Sequence, residues 1–352
     1  DERIVAVSRR HRHVVPVVAA VLIAVAIVLR PSRVADDGTP GLVLYCAHDS
    51  VFASGVIRRF EETTGITVDV RYDEEANKSL GLTNLLIAEQ NEPRCDVFWN
   101  NQTLGTIRLQ QAGVLQPYQS PSAERIPESF RDADGSWTGF AARLRVFLVN
   151  TEHMEAAEQA VNDALGEPSL KRVAIAQPLF GTTLSHYAVL ADQWGLEQLK
   201  QWHADLHRRN ITEVRGNSMS RDLVAEGICD VGFTDTDDAF AAIDAGKPVA
   251  MLPIRLDNGS TICIPNSVAM IRNCVHREAA EQFIDFLLSE ETELQLAQSA
   301  ARQIPLGTVD DSQLPPELKQ LREWAADGVS LTGAAEVQQQ VLDWLTAEYT
   351  GQ

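Results

Sequence analysis

From residue 41 onward the chain alternates strand and helix, and this alternation constrains its fold more than any other feature. Gly41 to Ala47 is an apolar run that reads as a buried strand, and the helix after it carries Val56, Ile57 and Phe60 on one face before Gly65 ends it. Ile66, Val68, Val70 and Tyr72 alternate along a second strand. Residues 79–90 set Leu82, Leu85 and Leu86 on one helical face, Cys95 to Trp99 is a third short strand, and a helix over 104–112 stops at Gly113. This order requires a parallel sheet joined by right-handed crossovers. A Pro- and Ser-rich stretch, 116–134, interrupts the pattern, and strand returns over 137–150. A second series follows: strand 173–176, helices 183–194 and 196–208, strand 211–215, helix 218–227 and strand 229–234. Strands at 249–253, 261–264 and 268–271, an amphipathic helix over 278–288 and two helical stretches within 315–349 complete the chain. The expected fold class is α/β: two units, each a mixed, mainly parallel sheet with flanking helices. The carboxyl ends of the strands are where such sheets bind ligands.

The 352 residues suffice for two domains. The formal net charge is −19, and residues 1–33 carry six Arg against two acids, so the rest of the chain is more acidic still. Such a body repels nucleic acid and anionic lipid, so nucleic-acid partners are excluded. Arg9, Arg10 and Arg12 precede an uncharged run from Val14 to Leu29, and Arg30 and Arg33 follow it. At ~1.5 Å per residue the run reaches about 24 Å, between a signal-peptide core and a spanning helix. Residues 1–40 therefore read as a signal or membrane anchor with its linker, and the body after Thr39 as translocated. The five cysteines (46, 95, 229, 263 and 274) show neither CxxC nor zinc spacing. Cys46 and Cys263 lie in apolar runs and read as core residues.

Several segments resemble the family 1 extracellular solute-binding proteins of ABC importers. Phe60 to Val68 (FEETTGITV) is similar to the family's F-E-x-x-T-G-I-x-V segment, and Asp96-Val97-Phe98-Trp99 to its A-D-V-F strand. Ala112 to Tyr118, Trp137 to Arg143 with Val149-Asn150-Thr151, and Ala301 to Leu306 resemble x-G-x-L-x-P-Y, W-x-G-x-x-x-R…N-T and R-x-x-P, in the family's order. The resemblance implies a two-lobed, type II periplasmic-binding-protein fold with a ligand cleft between hinged lobes. It implies lobe 1 from 42–141 plus 265–310, lobe 2 from 142–264, and C-terminal helices over 311–352 packing on the lobes. It implies a monomer outside the cytoplasm that delivers a small solute to permease subunits, and it implies no enzyme. The nearest branch binds ferric iron, whose hard charge favours anionic oxygen ligands. Its iron binders carry an adjacent tyrosine pair after a G-x-x-x-x-N strand, where this chain has Gly232-Phe233-Thr234-Asp235-Thr236-Asp237-Asp238. A His-Tyr pair found after the first strand in some members is replaced by His48-Asp49-Ser50. Asp235, Asp237 and Asp238 are the oxygen donors left for a cation such as Fe3+.

Loops after the strands supply the candidate ligand-binding residues. They are His48, Asp49 and Ser50; Asn77, Lys78 and Ser79; Trp99, Asn100 and Asn101; Thr182 and Thr183; Asn217 and Ser218; and Asp235, Thr236 and Asp237. Arg143 is added where the resemblance puts a residue crossing the cleft, either as a ligand contact or as an interlobe ion pair. Hydroxyls, amides and backbone N–H groups at helix starts favour an anion; helix capping is the plainer reading of the same residues. Trp99 beside two amides reads as a stacking and hydrogen-bonding platform. The mix suits a small zwitterionic or polyoxygenated solute, such as an aminophosphonate or a sugar phosphate, and equally a metal with a synergistic anion. Neither G-x-S-x-G nor G-K-[ST] occurs, which argues against hydrolase and nucleotide chemistry. A membrane-anchored sensing domain and, less favoured, a hydrolase or transferase on the same fold are the alternatives.

Overall fold

The computed structural model describes residues 41–73 and 80–351. The apolar run at 14–29 and the loop holding Asn77, Lys78 and Ser79 lie outside the described residues. Among the described residues no helix is long and apolar enough to cross a membrane.

In the first half, β1 (Leu42–Cys46) lies parallel to β2 (Val68–Tyr72) on one side and to β3 (Val97–Asn100) on the other. Helices α1 (Ser50–Thr64), α2 (Leu80–Ala88) and α3 (Leu104–Gln111) make the connections. The short β4 (Leu115–Gln116) precedes β5 (Thr138–Asn150), which belongs to both halves. In the second half, α4 (Glu158–Gly166), β6 (Val173–Ala176), α5 (Gly181–Trp194), α6 (Leu196–Arg208), β7 (Thr212–Val214), α7 (Asn217–Ala225), β8 (Val231–Asp235), α8 (Thr236–Asp244) and β9 (Val249–Pro253) follow in order. The chain then returns along β10 (Cys263–Ile271) and closes with α9 (Arg277–Leu287), α10 (Glu290–Ala297), α11 (Glu317–Ala326) and α12 (Thr332–Thr350).

The strand order is β2-β1-β3-β10-β5-β8-β6-β7, with β4 on β10 and β9 on β5. Each half keeps three parallel strands, and antiparallel β5 and β10 join them. Along β5 the partner changes: residues up to Leu144 pair with β10, and Arg145 onward pairs with β8 and β9. β10 is one strand where the sequence read two segments, because a register shift between Pro265 and Asn266 absorbs the proline. Helices α4 and α10 are additions to the pattern read from sequence. Buried Glu293 in α10 accepts hydrogen bonds from the backbone N–H groups of Ala141, Leu306 and Gly307 and pairs with Arg125 at 2.7 Å. It thereby ties the return segment to β5. All five cysteines are free thiols, and Cys46 and Cys263 lie fully inside the core.

Candidate functional site

The carboxyl ends of β1 and β3 in one half, and of β6, β7 and β8 in the other, open onto one cavity of about 260 Å³. Asp49, Asn101, Arg143, Phe180, Gly181, Thr182, Gly216, Asn217, Ser218, Asp235, Asp237 and Asp238 line it. Three helices of the second half start at its wall. Gly181 enters α5 at φ +61°, a left-handed conformation that strains any residue with a Cβ. α7 follows Gly216, and the Cβ-less Gly232 lets it pack on β8, since a Cβ there would sit 2.8 Å from Ser220 and Val224. α8 begins directly after Asp235. Capping does not explain these residues. Phe180 and Gly216 have no side chain that could cap, and neither Asp235 nor Asp49 makes a side-chain capping bond. The first-turn N–H groups of these helices are therefore donors for whatever enters.

A charged network organises the second wall. Arg145 is fully buried, and its Nη1 donates to Asp235 Oδ1 at 2.8 Å, to Asn217 Oδ1 at 3.1 Å and to Thr182 Oγ1 at 3.4 Å. Asp235 also accepts from the Thr182 hydroxyl and from Asn217 Nδ2 at 3.1 Å. Thr183 stands behind and donates to Asn217 Oδ1 at 3.0 Å. Asp235 is thus largely committed to the protein, which leaves Asp237 and Asp238 on the next turn as the carboxylates nearer the opening. One ligand atom from each of Asp235, Asp237 and Asp238 falls within 4.8 Å of the others. Burial, then the neighbouring Asp237 and Asp235, push Asp238 up to about 7, although Arg221 at 3.2 Å opposes the shift. Burial likewise raises Asp237, against the pull of Arg143. Arg143 crosses to the first half, donating from Nη2 to the Asn101 carbonyl at 3.1 Å, with Nε 3.8 Å from Asp235. Burial alone would lower its pKa; Asp237, Asp235, Asp49 and Asp238 together hold it above the ordinary value.

Of the residues read from sequence, Asp49, Asn101, Arg143, Thr182, Asn217, Ser218, Asp235 and Asp237 come together at this cavity. Others do not reach it. Trp99 is fully buried, its ring stacked 5.3 Å from His48, so it is a core side chain rather than a stacking platform. His48 is buried with it, and Gln303 Nε2 lies 3.4 Å from its Nε2. Asn100 is buried and donates to Thr106 Oγ1 at 3.2 Å. Thr236 is buried and accepts from the Leu144 N–H at 3.3 Å. Ser50 is exposed on the first turn of α1 and is not part of the lining. Arg145 went unread, although its signal was present: two arginines two residues apart, on one face of an otherwise apolar strand, seldom serve only solubility.

A model of the family described as bacterial extracellular solute-binding protein matches residues 55–326. Iron uptake protein A1 from Synechocystis sp. is 27% identical over 280 residues, covering 74% of this chain and 76% of that protein. Iron-bound HitA from Pseudomonas aeruginosa superposes with a TM-score of 0.74 at 21% identity, over 87% of this chain and 99% of that one. AfuA from Actinobacillus pleuropneumoniae, solved with exogenous fructose-6-phosphate, superposes with a TM-score of 0.70 at 22% identity, over 88% and 98%. At these identities the two structures establish the two-lobed fold and no more. The family match covers most of the chain, and the cleft opens where two α/β halves meet. The chain belongs to the bacterial extracellular solute-binding protein family, and its task is to bind a small solute.

Proposed function

We propose that this protein captures a small, oxygen-rich solute carrying positive charge and hands it to the permease of an ABC importer. The observation that carries this reading is the charge of the cavity: Asp49, Asp235, Asp237 and Asp238 outnumber the arginines Arg143 and Arg145. A cationic group entering near Asp237 and Asp238 would relieve the cost of their burial, which raises both pKa values. The solute's oxygens would meet the N-terminal N–H groups of α5 and α7 and the Arg143 guanidinium. An aminophosphonate or an amino sugar phosphate has this shape of charge. In this reading residues 42–141 with 265–310 form one closing body and 142–264 the other, with 311–352 packed across them. The partner change along β5 at Leu144–Arg145 supports a hinge there. The run at 14–29, with arginines on both sides, supports export or anchoring of the body.

A second reading is ferric iron with a synergistic anion. The spacing of the Asp235, Asp237 and Asp238 oxygens favours it, as do relatives named for iron. Among the described residues no tyrosine lines the cavity, so iron here would rest on carboxylates and on the anion.

Thermal unfolding in the presence of aminophosphonates, amino sugar phosphates, their amine-free counterparts and ferric citrate separates the readings. A ligand at 100 times its Kd adds ~2.7 kcal/mol to unfolding. A shift with the amine-bearing solutes, reduced in Asp237→Asn, supports the first reading. A shift with ferric citrate alone supports the second, and a panel without any shift removes both.

A further inference from the structure

Behind the cleft, one sheet face of the second half changes chemistry within two residues. Arg145 opposes Asp235, and Phe147 opposes Phe233, as successive same-face pairs of β5 and β8. α5 covers both pairs. Thr182 bonds to Asp235, and His186, one turn further along, has its ring 6.0 Å from Phe233. Beside that second pair lies a cavity of about 210 Å³, lined chiefly by Phe147, His186, Leu190, Trp194, Trp202 and Phe233. His186 is 2% exposed, and its Nδ1 is buried without a hydrogen-bond partner. Burial, and after it the charge of Arg145, push its pKa well below the usual imidazole value, so the ring is neutral.

We propose that this cavity is a second small-molecule site, separate from the cleft, for a neutral single-ring aromatic compound bearing one hydroxyl group. Apolar cavities of about 150 Å³ hold benzene, so this volume takes one substituted ring and not two. The aromatic lining sets the ligand's apolar body. The charged groups at the mouth are already engaged by the protein. Arg255 pairs with Glu158 at 3.5 Å and with Asp327 at 3.4 Å, Arg209 pairs with Asp205 at 2.7 Å, and Asp257 accepts from Trp194 Nε1 at 3.1 Å. An anionic ligand would therefore compete with these carboxylates for both arginines, and the apolar lining behind the mouth disfavours a charge of either sign. His186 lines the cavity, and its neutral imidazole carries one acceptor nitrogen that a ligand hydroxyl would satisfy. The proposal does not depend on which solute the cleft takes.

Phenol and toluene, equal in shape and differing in the hydroxyl, test it by calorimetric titration of the full chain. One-to-one, saturable binding of phenol, about tenfold tighter than toluene, is expected from one buried hydrogen bond. In His186→Leu the preference disappears while toluene still binds. A readout that needs no variant is the imidazole 15N resonance of His186, which should move on adding phenol to the wild-type protein. A cavity that only holds water gives no saturable binding of either compound, and that result overturns the proposal. So do equal affinities for the two compounds, or an unmoved His186 resonance in the presence of bound phenol.

Discussion

The two walls of the cleft are built on different principles. The second half presents a rigid polar network in which Arg145, Asp235, Asn217 and Thr182 hold one another. Among the described residues of the first half, His48, Trp99 and Asn100 are buried, and Asp49 and Asn101 line the cavity. Among the described residues, one wall is thus a preorganised receptor and the other offers few side chains of its own. A hinged binder gains from this division, because the rigid wall can select the solute and the sparse wall can close over it.

The largest effect should come from breaking the network. Arg145→Met removes the nearer cation from Asp235, which is only 4% exposed and keeps its Thr182 and Asn217 bonds and the more distant Arg143, 3.8 Å away. Fully stranding one member of a buried ion pair costs about 3–5 kcal/mol, and with Arg143 still beside Asp235 the loss should lie toward the lower end of that range. Urea unfolding measures this. A loss below about 1 kcal/mol would mean that the second wall is no more organised than the first.

Next in size is a pH effect confined to the same wall. Asp238 titrates near 7 in the folded protein, against about 3.9 when unfolded. Between those values the folded state binds more protons, so stability falls as pH rises from about 4 through about 7, by on the order of 4 kcal/mol. Asp230, Asp244 and Asp310 have lowered pKa values and act with the opposite sign, in the more acidic range. Asp238→Asn should flatten the slope in ligand-free protein, as seen in melting temperatures from pH 4.5 to 8. An unchanged slope would place its source outside Asp238, with Asp237, whose pKa burial also raises, the next group to replace.

The difference between the walls also marks what could be read from the sequence. Strands and helices of the core were legible because their apolar periodicity is local, down to α6 at 196–208 and β9 at 249–253. The second wall was legible because Gly, Thr and Asn before a helix, and aspartates after a strand, imply a helix start at a sheet edge. The first wall was not. Whether Asn100 points to the cavity or to Thr106, and whether Trp99 stacks on a solute or on His48, depends on which face of β3 meets a neighbouring layer. That is a tertiary fact. Arg145 was missed for a related reason: its partners are 37 to 90 residues away along the chain.

A smaller effect separates a buried Trp99 from a ligand-stacking one. Its indole Nε1 has no hydrogen-bond partner, so Trp99→Phe loses packing and no polar contact. It should cost about 1–2 kcal/mol of stability and leave solute affinity unchanged. A large loss of affinity without a loss of stability would return Trp99 to the site and erase the contrast between the walls.

The smallest effect tests the edge of the receptor wall. Ser218 is exposed at the start of α7, beside Asn217, which is tied to Arg145, Thr182 and Thr183. Its hydroxyl can meet a bound solute only at the rim, where water competes for the same hydrogen bond, so Ser218→Ala should weaken binding by about threefold or less. Asn217→Ala removes a member of the network itself and should weaken binding far more, although the two residues are neighbours in sequence. Titration of both variants with the same solute makes the comparison direct. Equal losses would mean that α7 acts through its N-terminal backbone alone, and that the side-chain network behind it serves the fold more than the ligand.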